Sequence, residues 1–408
     1  MPKPHFRRQR RRPVSRRGFL AVGGMAMVGL SIAERAAVAQ AQQRSGLRSV
    51  ILVAMNGGPS QLESFDPKPE APSYIRGPLR AIATSIPGVH VSEGFPQLAR
   101  RAERFTIVRS LFHDAAPIHE TGHQLLYAGK LPSRTCQPAS LGSATARLLG
   151  PRADAPAYVL LPGPVSGLGV RSELNAGAGW LGTEYAPHVF DRAPPVPVAE
   201  TSGDEPAEPS PEPLIPEFAT ERVEIREDYG ETDFGRRLWQ AARLVERGVR
   251  VVTVNLCPKL HGEVTWDAHA HKPSAPATLA DYRDTIGPQF DRACSALLDD
   301  LDAGGLLSET LVVCTGEFGR TPFLNPAGGR DHWTRCWSAL VAGGGVSGGR
   351  VIGATDARGR EIIDEPISLP ELVATAYASL RIDPLAPVTL ADRSEQLLAV
   401  QPVPDLVA

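Results

Sequence analysis

Cysteine is scarce in this chain, and the few cysteines form no recognisable pattern. Five occur among 408 residues, and no two are spaced as C-x-x-C, so the chain lacks the C-x-x-C spacing of zinc and redox motifs. One disulfide is possible in an oxidising compartment, but the sequence cannot pair it. Cys257 and Cys314 lie in apolar, strand-like runs and are expected to be buried thiols.

The chain also lacks a surplus of positive charge. It has 43 Lys and Arg against 45 Asp and Glu, a net charge of −2. Nine of the basic residues and one acidic residue lie within residues 1–39, so residues 40–408 carry a net charge of −10. An acidic protein is a poor candidate for nucleic-acid binding, and we expect no nucleic-acid partner.

Beyond the first forty residues, no apolar segment is long enough to cross a bilayer. Within them, a basic head precedes a mild apolar stretch from Phe19 to Ala33, and Ser15-Arg16-Arg17-Gly18-Phe19-Leu20 matches the twin-arginine export consensus. Ala37-Val38-Ala39 suits a cleavage site, so residues 1–39 are predicted to be a twin-arginine signal peptide. The alternatives are a retained N-terminal anchor and a basic amphipathic helix.

This leader predicts a periplasmic or secreted protein. The twin-arginine translocase would be its partner during export, and a membrane would be a partner only if the leader were retained. Because this route carries proteins that are already folded, often around a metal or cofactor, the leader gives indirect support for a metal site.

The rest of the chain alternates apolar strands with amphipathic helices. The apolar run Ser49–Met55 ends in Asn-Gly-Gly, which is typical of a central parallel strand that enters a loop. A helix, a glycine and a strand follow one another before Val249–Leu256, and the pattern recurs before the run LVVCT. This alternation predicts one α/β domain over residues 46–400, with helices on both faces of a parallel sheet. A Pro- and acid-rich stretch at about 193–217 is predicted to be an exposed loop.

Polar side chains follow several of the predicted strands. In such a sheet, ligands bind beyond the carboxyl ends of the strands, so residues 56–58, 255–271 and 316–332 are expected to converge on one edge. Carboxylate and imidazole groups are ligands for zinc and similar divalent ions, and an arginine beside them suits an anionic oxygen group. The candidate sets are Asp267 with His269 and His271, Glu317 with Arg320, and Asp331 with His332.

Each set has a structural alternative. Asp267 and its two histidines could form a solvated loop. Glu317 and Arg320 could be an ion pair that holds the loop. Asp331 could cap a helix that begins at Trp333, because aspartate is a good N-cap residue.

A further pair of histidines lies at i and i+4 on one predicted helix. His119 and His123 match the H-E-x-x-H pattern of zinc proteases. However, Gly122 weakens the helix, and no third ligand with a Met-turn pattern follows. A metalloprotease therefore remains open but is disfavoured.

Seven segments together resemble a family of exported bacterial proteins, domain of unknown function 1501. They are VAMNGGPSQLESFDPKP, HETGHQLLYAGKLP, GAGWLGTEYAPHVF, ARLVERGVRVVTVN, TWDAHAHK, GEFGRTPFLNPAGGRDHW and AGGGVSGGRVIGATDARG. With the leader, the resemblance spans roughly residues 15–400. The family is similar to the alkaline phosphatase and sulfatase superfamily. It implies an alkaline-phosphatase-like (sulfatase-like) three-layer sandwich with a mostly parallel central sheet, two divalent metals, and a Ser, Thr or formylglycine nucleophile.

The superfamily pattern maps onto this chain only in part. The metal ligands that it implies here are Asp267, His269 or His271, His332, Asn56 and Glu317. One metal site is therefore nearly intact. The second is incomplete, because Asn56 stands where an aspartate is expected and Phe318 stands where a histidine is expected.

The implied nucleophile position is also altered. His119 stands there, and Thr121 is the nearest hydroxyl. The resemblance thus implies a hydrolase of small or glycan phosphate or sulfate esters that depends on a divalent ion such as Zn, Mn or Ca. His119 or Thr121 would serve catalysis, and Arg320 would hold the anion. The alternative is a non-catalytic binding protein of the cell envelope that keeps the same fold.

Overall fold

The computed structural model describes residues 49–167, 176–190, 214–391 and 393–407. The predicted signal peptide lies outside these residues, as does most of the Pro- and acid-rich stretch. Within the described ranges, no helix combines the length and the apolar character needed to span a bilayer.

Seventeen strands and nine α-helices make up the described chain. The strands are β1 (Ser49–Ala54), β2 (Ala81–Ala83), β3 (His90–Ser92), β4 (Phe105–Phe112), β5 (Tyr158–Leu161), β6 (His188–Val189), β7 (Val251–Asn255), β8 (Thr310–Thr315), β9 (Gly319–Arg320), β10 (His332–Trp333), β11 (Trp337–Ala342), β12 (Arg350–Ile352), β13 (Ala354–Thr355), β14 (Ile362–Asp364), β15 (Ile367–Ser368), β16 (Pro387–Leu390) and β17 (Arg393–Gln396). The helices are α1 (Ser73–Arg76), α2 (Pro96–Arg100), α3 (His119–Ala128), α4 (Leu141–Leu149), α5 (Val223–Tyr229), α6 (Asp233–Glu246), α7 (Leu279–Asp284), α8 (Ile286–Ala303) and α9 (Leu369–Ser379).

Nine of the strands form one central sheet. Its order is β12-β4-β11-β8-β1-β7-β5-β6, and β15 also pairs with β4. Neighbouring strands are parallel except at β11, which runs antiparallel to both β4 and β8. The reversal has a local cause, since residues 316–336, between β8 and β11, contain no crossover helix. The predicted mostly parallel α/β sheet is confirmed, with this one strand reversed.

Both faces of the sheet are buried. Alternate residues of β1 enter two different hydrophobic cores, with Ile51 and Val53 in one and Val50 and Leu52 in the other. Helices α2, α6 and α8 contribute to the first core, and α3, α4 and α9 contribute to the second. The sheet is thus the middle of three layers, and its strand ends are the places where polar side chains can gather.

Local signals in the sequence account for several element ends. Helix α3 ends at Gly129, whose φ of +65° is left-handed. Helix α9 begins with a capping box of Ser368 and Glu371. The possible helix at Trp333 is wrong, because His332 and Trp333 form β10 and pair with Gly319–Arg320.

All five cysteines are free and buried, as expected for Cys257 and Cys314. The structure therefore forms no disulfide, although the sequence left one open. Sγ of Cys294 lies 3.8 Å from Sγ of Cys314 within the core.

Helix α2 depends on a carboxylate from another helix. Asp291 of α8 accepts hydrogen bonds from the backbone N–H groups of Gln97 and Leu98 at 2.8–3.1 Å. Burial raises the pKa of Asp291 to about 6, and the two backbone donors offset only part of that effect.

Asp291 should make stability fall with rising pH. Its pKa is higher in the folded state, so its contribution is greatest below its unfolded value near 4 and is lost as pH rises to about 6. Relative to Asp291→Asn, the wild-type free energy of unfolding should drop over this window by at most about 3 kcal/mol. Urea unfolding of both proteins at several pH values measures the difference. A difference that is constant with pH would show that Asp291 does not titrate in this way.

Candidate metal centre

A cluster of imidazoles and carboxylates lies beyond the carboxyl ends of β1, β7 and β8. Helix α3 presents His119 and His123 to it, one turn apart. The loop after β7 supplies Asp267 and His269, the residues after β8 supply Glu317, and hairpin β9–β10 supplies His332. The structure thus brings together segments that are more than two hundred residues apart in the chain.

Three ligand-type atoms meet at the first part of this cluster. Nε2 of His269 lies 2.9 Å from Nε2 of His332, and the two nitrogens lie 3.2 Å and 3.3 Å from Oδ1 of Asp267. Nε2 of His119 approaches the other oxygen of Asp267 at 3.5 Å. His119, Asp267 and His332 also form a group whose ligand atoms lie within 4.8 Å of one another.

The outer nitrogens of the two rings show where the protons are. Nδ1 of His332 lies 2.8 Å from the carbonyl oxygen of Pro117 and must donate to it. Nδ1 of His269 likewise faces the Asp331 carboxylate at 3.1 Å. In the neutral rings, the inner Nε2 atoms then carry lone pairs that face each other and a carboxylate oxygen. This is how second-shell acceptors orient metal-binding histidines.

The donor set fits a divalent cation. A tetrahedral zinc with bonds of about 2.0–2.1 Å separates its ligand atoms by about 3.3–3.4 Å. The three separations at Asp267, His269 and His332 are close to that value. Three lone-pair atoms at this distance repel one another unless a proton or a cation lies between them, so the arrangement favours a positive ion.

A second group of ligand atoms shares His119 with the first. Its members are His119, His123 and Glu317. Oε1 of Glu317 accepts from Nδ1 of His119 at 2.6 Å and from the N–H of Gly57 at 3.0 Å, and it lies 3.7 Å from Nε2 of His123. Its other oxygen, Oε2, is buried without a hydrogen-bond partner. An orphaned carboxylate oxygen beside two imidazoles suits a cation.

His123 has a fixed tautomer as well. Its Nδ1 lies 2.9 Å from the His119 carbonyl and donates to it. Its Nε2 therefore accepts, and the amide nitrogen of Asn56 lies 3.2 Å away. Burial lowers the pKa of His123, and the charge on His119 adds to that effect.

His119 carries the positive charge between the two groups. Burial works to lower its pKa, but hydrogen bonds and charge from Asp267 and Glu317 raise it to about 9. At neutral pH its ring is an imidazolium, with one N–H toward each carboxylate.

Both carboxylates are ionised. Burial works to raise the pKa of Asp267, but the charge of Arg320 and a hydrogen bond from His119 hold it far below its usual range. Burial has the same effect on Glu317, where His123 and His119 nonetheless bring the pKa down to about 2. Burial lowers the pKa of His332 to about 4, so its ring is neutral and free to act as a ligand.

Arg320 has a different position from the one expected. It is fully buried, and its guanidinium donates to the carbonyls of Gly58 and Arg330 at 2.8 Å and 3.0 Å, to the Gly57 carbonyl, and to Oδ1 of Asp267 at 2.5 Å. It is therefore not placed to hold a substrate anion. Its role is to position Asp267 against the Asn-Gly-Gly loop. The alternative of an ion pair between Glu317 and Arg320 is wrong, because the ion-pair partner of Arg320 is Asp267.

Two other predicted residues lie apart from the cluster. His271 is exposed, with Nδ1 3.3 Å from the Ser274 hydroxyl, because residues 265–271 are irregular rather than helical and i+4 spacing does not return to the same side. The Thr121 hydroxyl donates to the carbonyls of Ala116 and Ile118, in the turn before it.

The cluster also contains residues that were not predicted as site residues. Tyr127 follows His123 by one helical turn, and its hydroxyl donates to Oδ1 of Asn255 at 2.6 Å. The amide nitrogen of Asn56 contacts both of them at 3.1 Å and 3.2 Å. The i, i+4, i+8 spacing of His119, His123 and Tyr127, and a polar residue at the end of the β7 run, were signals for this layer.

A family model described as "Protein of unknown function (DUF1501)" matches residues 47–212 and 216–404. The chain belongs to this family. The resemblance noted from the sequence is confirmed. No curated protein matches the DUF1501 chain by sequence.

Solved structures similar to the DUF1501 chain have alkaline-phosphatase-like folds. The periplasmic domain of EptC from Escherichia coli, in complex with Zn, has a TM-score of 0.43 and 11% identity, covering 82% of each chain. PsFucS1 sulfatase from Pseudoalteromonas sp. has a TM-score of 0.41 and 13% identity, covering 86% of this chain and 72% of its own. A protein in the alkaline phosphatase superfamily from Vibrio parahaemolyticus has a TM-score of 0.42 and 10% identity, covering 83% of this chain and 67% of its own.

A second buried ion pair supports the hairpin loop of the DUF1501 chain. Arg330 and Glu63 are both almost wholly buried and form two hydrogen bonds, at 2.6 Å and 2.9 Å. Arg330 also donates to the carbonyls of Ile75, Thr321 and Pro322. It therefore joins both arms of the loop that carries Asp331 and His332.

Arg330→Met should destabilise the protein by about 3–5 kcal/mol, because it leaves the Glu63 carboxylate buried and unpaired. Arg335→Met is the matched control, since Arg335 pairs with Glu361 at an exposed position and should cost less than about 1 kcal/mol. Urea unfolding measures both. Equal losses in the two variants would contradict the role assigned to Arg330.

Proposed function

We propose that this protein is exported through the twin-arginine route and acts as a metal-dependent hydrolase of phosphate or sulfate esters. The observation that carries the proposal is the meeting of Asp267 Oδ1, His269 Nε2 and His332 Nε2 at 2.9–3.3 Å. These three residues would hold one divalent cation. His123 and Glu317 would provide ligands for a second, while His119 stays protonated between the two groups.

A divalent cation at this edge would supply Lewis acidity toward the oxygens of a phosphoryl or sulfuryl group. Neighbouring residues hold the three ligand side chains in position for this cation. Asp331 and the Pro117 carbonyl fix the two imidazoles, and Arg320 fixes Asp267. Phe318 contributes an apolar wall, with its ring centroid 4.3 Å from that of His332 and 5.0 Å from that of His119.

His119 is the group best placed to transfer a proton. Its Nδ1–H is held by Glu317 at 2.6 Å, whereas its Nε2 lies 3.5 Å from Asp267 and is more loosely held. A protonated imidazole at this point suits a general acid for the leaving group better than a nucleophile. The neighbouring hydroxyls of Thr121 and Thr265 are engaged with backbone groups. Water is therefore the attacking group that this arrangement favours.

A specific observation also favours the second candidate, a non-catalytic binding protein of the cell envelope. Asp267, Glu317 and Asp331 carry three negative charges, and Arg320 and His119 carry two positive charges, so all but one of the charges are balanced without any cation. A binding protein in which these residues only stabilise the fold would need no metal.

His271 provides a control for the proposed metal centre, because it lies on the same loop as His269 but apart from the cluster. His269→Ala should weaken Zn²⁺ binding at least about tenfold, because it removes a ligand, whereas His271→Ala should leave binding unchanged. Isothermal titration calorimetry of the metal-free proteins compares the two variants. Equal losses, or no Zn²⁺ binding by the wild-type protein, would contradict the proposed centre.

The hydrolase proposal predicts turnover of 4-nitrophenyl phosphate or 4-nitrophenyl sulfate in the presence of Zn²⁺, Mn²⁺ or Ca²⁺. His119→Ala should lower kcat about 100-fold or more, since it removes the proton donor, and Thr121→Ala should leave kcat unchanged. Release of 4-nitrophenolate measures the rates. Tight metal binding with no turnover of either ester would favour the binding protein over the hydrolase.

A further inference from the structure

Two aromatic rings stand exposed beside the cluster. Tyr74 and Phe323 are the exposed aromatic side chains in the part of the chain that the structure describes, with 52% and 42% of their surface accessible. They lie against each other, with ring centroids 6.3 Å apart and planes within 9° of parallel. The backbone N–H of Leu324 also donates to the Tyr74 carbonyl at 3.2 Å. Two exposed rings that pack against each other offer an apolar surface on which a ligand ring can stack.

One of the two rings, that of Phe323, belongs to the loop that carries part of the candidate metal centre. Phe323 lies between β9 and β10, on the same loop as Asp331. The N–H of Thr321 donates to the Asp331 carbonyl at 2.9 Å, and Asn325 donates to the His269 carbonyl and the Asp331 carboxylate at 3.1 Å each. Phe323 is therefore flanked in the chain by Thr321 and Asn325, which hydrogen-bond to Asp331 and to the His269 backbone. A ligand that stacks on Phe323 would lie next to the residues that orient His269.

One arginine lies beside this aromatic pair. The Arg360 guanidinium lies 5.7 Å from the centroid of the Phe323 ring, and its Nε is buried without a hydrogen-bond partner. On the other side, Tyr74 belongs to helix α1, whose Ser73 and Arg76 line a surface cleft of about 600 Å³ together with Lys68 and Arg80. Carboxylates pair with Lys68 and Arg80, while Arg76 donates to a backbone carbonyl.

We propose that Tyr74, Phe323 and Arg360 form a subsite for a sugar unit of a sulfated polysaccharide. The apolar face of a pyranose ring can lie on an aromatic ring, and a sulfate group matches the planar donors of arginine. The cleft beside helix α1 gives room for further sugar units of the same polysaccharide. This inference rests on the proposed function in one respect, that the ester to be hydrolysed belongs to this polysaccharide. Binding of the polysaccharide at the subsite does not require hydrolysis.

The test uses three polymers that separate sugar rings from charge. Dextran sulfate has both, unsulfated dextran has rings alone, and polyvinyl sulfate has charge alone. The full-length protein should bind dextran sulfate more tightly than either of the others. Tyr74→Ala and Phe323→Ala should each weaken dextran sulfate binding about fivefold to tenfold, with polyvinyl sulfate binding unchanged. Tyr185→Ala is the matched control, because Tyr185 also carries an arginine near its ring, Arg147 at 5.8 Å.

Biolayer interferometry with each polymer immobilised measures these affinities. No binding of dextran sulfate, an equal loss for dextran sulfate and polyvinyl sulfate, or an equal loss in Tyr185→Ala would overturn the subsite. His332→Ala separates this inference from the hydrolase proposal. The His332→Ala variant should still bind dextran sulfate through Tyr74 and Phe323. This result is expected even if neither the wild-type protein nor any variant hydrolyses an ester.

Discussion

The contact between Arg320 and Asp267 organises the edge of the sheet. Arg320 is fully buried, and its other donors are satisfied by carbonyls of the Asn-Gly-Gly loop and of Arg330. This fixes the carboxylate on which His119, His269 and His332 converge. The glycines are part of the same constraint, because Gly58 has a φ of +76° and a Cβ there would lie 2.5 Å from the Phe318 ring. A buried arginine held in this way costs desolvation, and its hydrogen bonds recover that cost only if every partner stays in place.

The charges of the cluster follow from that arrangement. With Asp267 ionised and Glu317 ionised, His119 is drawn into its charged form, while burial, with the charges of Arg320 and His119, keeps His332 neutral. One ring thus links two groups of ligand atoms. It offsets their negative charge when no cation is present, and a cation at either group would repel that positive charge and lower the pKa of His119, so cation binding and proton release are coupled at this site. The metal-free cluster and the metal-loaded cluster are two states of one set of residues.

Sequence patterns predicted the frame of this site better than its details. The apolar runs ending in polar residues placed Asn56, Asp267 and Glu317 near one edge, because strand direction and the buried faces of a parallel sheet leave few choices. Whether His269 or His271 faces the cluster depends on the irregular backbone of their loop. Neither helical nor strand periodicity in the sequence predicts that backbone. The burial of Arg320 was also hidden, since its partners are backbone carbonyls and a carboxylate 53 residues earlier in the chain. The reversed strand β11 depended on the missing crossover helix rather than on its own residues.

The central claim is that Asp267, His269 and His332 share one divalent cation. Crystals of the protein grown with Zn²⁺, measured on both sides of the zinc absorption edge, test it directly. We expect an anomalous difference peak about 2.0–2.2 Å from a carboxylate oxygen of Asp267 and from Nε2 of both histidines. A fully occupied peak elsewhere, or none at this position while the three side chains keep their 2.9–3.3 Å separations, would contradict the account.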